Sequence, residues 1–211
     1  MNGIISNIFN VDFILALPAL LLCITVHEVS HGYAAYLLGD PTAKNAGRLT
    51  LNPLKHIDPM GLLMLWIFRF GWAKPVPVHP GYFKNRRKGM LLVSIAGPLS
   101  NCIFAILTGI VYFNVYRYAN HIVLGFLQML LIYNATLFAF NLIPVPPLDG
   151  SKVVASILPG KYWRYTAFME QYGTFILLAL VIFDLTGIFI MPIANALLDL
   201  VFTIASHLTF F

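Results

Sequence analysis

Apolar residues gather along this chain into five stretches of membrane length, separated by short polar or proline-rich breaks. They cover residues 11–39, 89–118, 122–142, 165–183 and 188–207. A helix rises ~1.5 Å per residue, so each stretch reaches or approaches the ~30 Å of a hydrocarbon core. A further apolar stretch, residues 59–72, would reach only ~21 Å as a helix. It is expected to re-enter the membrane or lie at its interface. The remaining regions, residues 42–58 and 73–88, are polar or rich in proline. Within the first, Gly47 to Pro53 alternates like a short strand. Within the second, residues 74–80 read as extended chain whose prolines confine it to a sheet edge or a loop. The pattern predicts an all-α polytopic membrane protein: five or six transmembrane helices, a short re-entrant segment and a small membrane-associated β element. One membrane-embedded domain is expected over residues 1–211.

The breaks have local causes. Gly39-Asp40-Pro41 stops the first span by left-handed capping and by loss of the proline donor. Pro98 should kink the second span and free a carbonyl. Pro144, Pro146 and Pro147 end the third, and irregular backbone at membrane depth requires protein cover or a wet cavity.

Composition agrees with this picture. Of the 211 residues 59% are hydrophobic and 10% charged, against about 25% charged in a soluble domain. The net charge of +5 is therefore assigned to loops on one side of a membrane, with no nucleic-acid partner. Suppose residues 59–72 dip in and return. Then eleven of the thirteen Lys and Arg residues share one side, with Arg117 opposite and Arg69 inside the dip. The positive-inside rule then places the N-terminus outside and the charged loops in the cytoplasm. A prokaryotic plasma membrane is the expected location. The first ten residues hold no Lys or Arg, which argues against a cleaved signal peptide. Cys23 and Cys102 both fall in apolar spans and read as buried thiols, although Cys23 lies one turn before His27.

The candidate chemistry sits inside the first span. His27-Glu28-Val29-Ser30-His31 is an HExxH sequence. On a helix its two imidazoles lie one turn apart on one face, a spacing that suits two zinc ligands, with Glu28 placed to handle a water proton. Ionisable groups in a membrane cost about 2.5–3.5 kcal/mol each by insertion scales, so three together call for a compensating cation. Catalytic zinc takes a third protein ligand and keeps one position open for water. Asp149 is the best third candidate among the few acids. It follows a rigid proline-rich entry and precedes a glycine, although read alone it would also serve as a helix cap.

The HExxH sequence, the Ala96 to Asn101 run Ala-Gly-Pro-Leu-Ser-Asn and the Asn141 to Gly150 run Asn-Leu-Ile-Pro-Val-Pro-Pro-Leu-Asp-Gly together resemble the site-2 protease family of intramembrane zinc metalloproteases. The resemblance covers about residues 20–160. It implies one Zn2+ held by His27, His31 and Asp149, Glu28 as general base and acid, and Asn101 and Asn141 facing the site. As substrate it implies a transmembrane protein or peptide, cleaved within the lipid bilayer. These residues include no PDZ module and no CBS pair, so a short-form member is expected. Asn101 or Asn141 would donate to an oxyanion or hold substrate backbone, and both also fit ordinary interhelical hydrogen bonds. His56 and His79 are possible accessory residues or local hydrogen bonders. Gly97 fits a close helix approach. Trp66, Trp72 and Trp163 read as membrane-boundary aromatics.

Two rival readings stand beside proteolysis. One is a zinc-binding membrane scaffold without turnover, for which a buried base such as Glu28 has no use. The other is a prenyl-protein protease, which would take its third ligand from a later glutamate; Glu170 is the only one besides Glu28.

Overall fold

The computed structural model describes residues 11–68 and 71–208. The N-terminal ten residues, Arg69 and the Trp66 side chain, on which expectations above rest, lie outside the described residues. The elements in chain order are α1 (Val11–Leu37), the single turn α2 (Thr42–Asn45), α3 (Pro59–Phe68), α4 (Arg86–Val115), α5 (His121–Asn141), α6 (Asp149–Ile157), α7 (Trp163–Ile182) and α8 (Thr186–His207). Five of them, α1, α4, α5, α7 and α8, are long and apolar enough to cross a membrane. The molecule is an integral membrane protein.

Local signals set the helix ends. Gly39 closes α1 with φ of 99°, a left-handed conformation that glycine adopts without a Cβ penalty. The side chain of Asn85 accepts from Lys88 N–H to start α4, and that of Asn120 accepts from Val123 N–H to start α5. At ~1.5 Å per residue α3 reaches only ~15 Å, half of a hydrocarbon core.

Small residues let the central helices approach. Ala19 and Cys23 of α1 bury against Leu130 of α5. Ala105 of α4, Ala135 and Ala139 of α5, and Ala194 and Val201 of α8 form a second buried cluster. Alanine-lined contacts of this kind are how helices associate where lipid offers no hydrophobic drive. The outlying α7 buries only Gly173 and Leu177.

The expected β element is not formed. No sheet is present among the described residues, and the single β contact is an antiparallel bridge between Ile57 and Ala73. The Gly47 to Pro53 stretch turns too often to be a strand. Gly47 is left-handed with φ of 64°, and the Asn52 side chain caps a 3-10 turn at Pro53–Lys55. Residues 74–80 are extended as expected, but they lie along α1. Lys74 N–H donates to His56 O at 2.9 Å, Val76 N–H to Glu28 Oε2 at 2.8 Å, and His79 N–H to Asp40 Oδ2 at 2.6 Å. Pro75, Pro77 and Pro80 have no N–H to offer. The segment is thus a strap whose donors are mostly engaged. Gly32 is what lets it down onto the helix: a Cβ there would come within 2.8 Å of both Leu49 Cδ2 and Val76 Cγ1.

Asp40 anchors the far end of this strap. It is fully buried, and it also accepts from the backbone N–H and the hydroxyl of Thr42. Burial pushes its carboxyl up, but the hydrogen bonds from His79 N–H and Thr42 outweigh that and hold it below the ordinary carboxylate range. A lowered folded-state value stabilises the fold fully above the ordinary range. That contribution is lost as pH falls through the range toward the folded-state value. Melting of the detergent-solubilised protein should therefore shift downward between pH 5 and pH 3. Asp40→Ala, which strands these buried donors, is expected to cost about 3 kcal/mol at neutral pH and to flatten the acid part of the profile. A wild-type profile unchanged over that interval would contradict the assignment.

Candidate metal centre

Three elements bring the site together. α1 carries His27, Glu28 and His31. α4 lies against it, and α6 begins at Asp149 after the proline-rich turn. His27, His31 and Asp149 are all buried, and each offers one ligand atom to a common point. The Nε2 atoms of the two histidines are 3.0 Å apart, and Asp149 Oδ2 lies 3.1 Å from the first and 2.9 Å from the second.

Carbonyl chemistry sets the histidine tautomers. His31 Nδ1 sits 2.7 Å from the Val93 carbonyl, which can only accept, so Nδ1 carries a proton and, in the neutral imidazole, Nε2 presents a lone pair. That carbonyl lies beside the gap left by Pro98, which supplies no N–H to Ser94 O. His27 Nδ1 lies 2.6 Å from Asn101 Oδ1. The Asn101 amide nitrogen donates to Cys23 O at 3.3 Å and to Asn134 Oδ1 at 2.8 Å, so its oxygen is the atom that faces His27. His27 therefore also donates from Nδ1 and presents its Nε2 lone pair inward.

With both imidazoles neutral, two lone pairs and a carboxylate oxygen converge without a proton between the two nitrogens. Mutual repulsion makes that a poor arrangement for a dry cluster and a good one for a divalent cation. Tetrahedral zinc with bonds of about 2.0–2.1 Å spaces its ligands ~3.3 Å apart, close to the separations here. Lys152, half-exposed, donates to Asp149 Oδ1 at 3.1 Å and leaves Oδ2 to face the histidines. Glu28, half-buried, accepts from Val76 N–H through Oε2, and its Oε1 makes no hydrogen bond among the described residues.

Gly97 has a sharper role than helix packing. A Cβ on it would stand 2.3 Å from His31 Nε2 and 2.7 Å from His27 Cε1. Its missing side chain is the space in which the two imidazoles turn toward Asp149.

Of the other sequence candidates, Asn101 borders the cluster through its contact with His27. Both amide hydrogens of Asn101 are engaged, so it orients His27 and has none left for an oxyanion. Asn141 donates to Leu137 O of its own helix. His56 is buried but bonds Thr50 O through Nε2, with Nδ1 toward the Arg48 guanidinium. Arg48 in turn donates to Lys74 O, so this pair ties the strap to the preceding loop. His79 accepts from Gly81 N–H in a local turn. Neither histidine belongs to the three-residue cluster. Glu170 is exposed on α7 and outside the cluster, which removes the ligand that the prenyl-protease reading needed. Sequence reasoning missed Asn134, Lys152 and Val76. A buried asparagine within an apolar span and a lysine three residues after an aspartate were the available signals for the first two.

The chain is 38% identical over 184 residues to YwhC of Bacillus subtilis, a protein named as a zinc metalloprotease, covering 84% of each. The chain belongs to peptidase family M50. The family model itself matches residues 107–183, from the second half of α4 through α7. Rip2 of Mycolicibacterium smegmatis, also named as a zinc metalloprotease, is 33% identical over 184 residues, covering 81% of this chain and 67% of its own. A zinc metalloprotease of Methanocaldococcus jannaschii is 27% identical over 182 residues, covering 84% of this chain and 45% of its own. No solved structure matches the chain significantly. As an M50 member with five apolar helices, the molecule is a metalloprotease of the site-2 type, which matches the resemblance carried by its three motifs.

Proposed function

We propose that this M50 protein is a zinc-dependent intramembrane endopeptidase that cleaves membrane-spanning segments of other proteins, with His27, His31 and Asp149 as metal ligands and Glu28 as general base and acid. The observation that carries the reading is the convergence of two imidazole nitrogens of the HExxH helix and one carboxylate oxygen of Asp149 within 3.1 Å of one another. His27, His31 and Asp149 would hold the zinc, which when bound would supply a Lewis acid able to bring the pKa of a water toward ~7. Glu28 takes the proton from the attacking water and hands it to the leaving amine. Val76 N–H holds one oxygen of Glu28 and leaves the other for that transfer. Asn101 and Val93 O hold the two imidazoles in the tautomer that ligates.

A cavity of about 750 Å³ offers the substrate a place. It runs between α1, α3 and α5, past Leu17, Leu21, Thr25, Gly61, Tyr133 and Thr136. Along α1 it ends one turn before Glu28. Its lining is mostly apolar, which suits a hydrophobic segment. The charge distribution and the shortness of α3 support a dip over residues 59–72, the N-terminus outside, and a site near the cytoplasmic face of a prokaryotic plasma membrane.

Purified protein is expected to contain one zinc per chain and to cleave a reconstituted transmembrane peptide. Dialysis against a chelator should abolish cleavage, and added zinc should restore it. Asp149→Ala should lose the metal as well as the activity. Zinc-loaded wild-type protein that cuts no membrane-spanning peptide would point instead to a binding role.

A further inference from the structure

We infer that Asn134 is a positioning residue of the metal centre, acting through Asn101 to fix the tautomer of His27; this rests on the zinc-site reading above. Asn134 lies on α5, fully buried, and touches no ligand atom. Its amide nitrogen donates to Leu130 O of its own helix at 2.9 Å. A backbone carbonyl cannot donate, so that contact fixes which end of the amide is nitrogen. The oxygen of Asn134 must then face Asn101, where it accepts from Nδ2 at 2.8 Å. Asn101 Nδ2 is thereby held away from His27, and Asn101 Oδ1 is left to accept from His27 Nδ1 at 2.6 Å.

Every hydrogen bond in this row points the same way, from His27 through two amides to a carbonyl of α5. The row crosses α1, α4 and α5, and all three of its side chains are buried. Without Asn134, the one remaining restraint on the Asn101 amide is the longer contact to Cys23 O, at 3.3 Å. A flipped Asn101 would present Nδ2 to His27 Nδ1. The imidazole would then move its proton to Nε2 and could no longer offer that nitrogen to a metal. An amide two steps from the metal is thus set to decide whether one of the ligands is available.

The test is the zinc affinity of the detergent-solubilised protein, read by competition with a chromophoric chelator. Asn134→Leu is expected to weaken zinc binding about tenfold or more, the usual range for outer partners of a ligating histidine. Asn134→Asp, whose neutral acid form can accept from Asn101 and donate to Leu130 O, should stay within about twofold of wild type. In an Asn101→Ala background Asn134→Leu should have no further effect, because its route to His27 is already cut. Asn134→Ala, which adds no bulk to the helix contact, is read in parallel by the same criteria should the leucine variant fail to fold. Equal affinity in wild type and both variants, or an equal loss with and without Asn101, would show Asn134 to be a packing residue. Wild-type protein that binds no zinc overturns the site reading and the positioning role together. Zinc bound with indifference to Asn134 overturns only the latter.

Discussion

Glu28→Gln is expected to keep a full complement of zinc and to lose cleavage of a transmembrane peptide by at least about 10²–10⁴-fold, the range that general acid–base groups supply. The side chain touches no ligand atom among the described contacts. Its hydrogen-bond partner is Val76 N–H, and the glutamine oxygen can still accept from it. What glutamine cannot do is take a proton from water and return it to an amine. Metal content, thermal stability and the resting strap should therefore be unchanged while turnover disappears. Such a variant should also hold its substrates uncut, so a proteomic comparison of membranes containing wild-type or Glu28→Gln protein would identify them. Wild-type and variant membranes with identical fragment patterns would remove the proteolytic reading. Loss of zinc in the variant would instead make Glu28 part of the metal-holding set.

Gly97→Ala should be nearly as damaging, by another route. The added methyl would stand 2.3 Å from His31 Nε2, well inside contact distance, with His27 Cε1 at 2.7 Å on the other side. The obstruction comes from buried rings that are already fixed by Val93 O and Asn101, so neither can turn aside without losing its hydrogen bond. Zinc affinity is expected to fall by about 100-fold or more, at or beyond the range measured when an outer partner of a ligand is removed. Metal analysis separates this from a packing defect. A glycine needed only for helix approach would lower the melting temperature of zinc-free protein and leave the affinity of the folded fraction intact. The zinc-site account expects the reverse order of effects.

How far the sequence carries depends on the kind of information each feature needs. The pairing of His27 and His31 follows from helical periodicity alone, which is why HExxH is legible without a structure. Asp149 is legible because acids are scarce in an apolar chain and because proline and glycine around it mark a sharp turn. The role of Asn101 is not legible, since a sequence does not say which end of an amide faces which neighbour. It took two backbone carbonyls, Cys23 O and Leu130 O, to settle that. Gly97 was readable as a close approach, but only the fold reveals that the approaching groups are imidazoles. The β element failed for a related reason. Alternation over residues 47–53 is a genuine strand signal, yet the left-handed Gly47 and the Asn52 cap bend the chain out of it. Residues 74–80 are extended as their prolines dictate, but a one-dimensional pattern cannot say that their partner is α1.

His31 and Asp149 are separated by 118 positions. A ribosome feeding this chain into a bilayer has to deliver the paired imidazoles long before the carboxylate, and α4 and α5 have to be inserted in between. On the ligand set proposed above, a nascent molecule holds at most an incomplete coordination sphere throughout that interval. A protease with this layout stays idle while it shares the insertion machinery with other newly made helices, and its cutting power arrives only once α6 has followed α5 out of the ribosome.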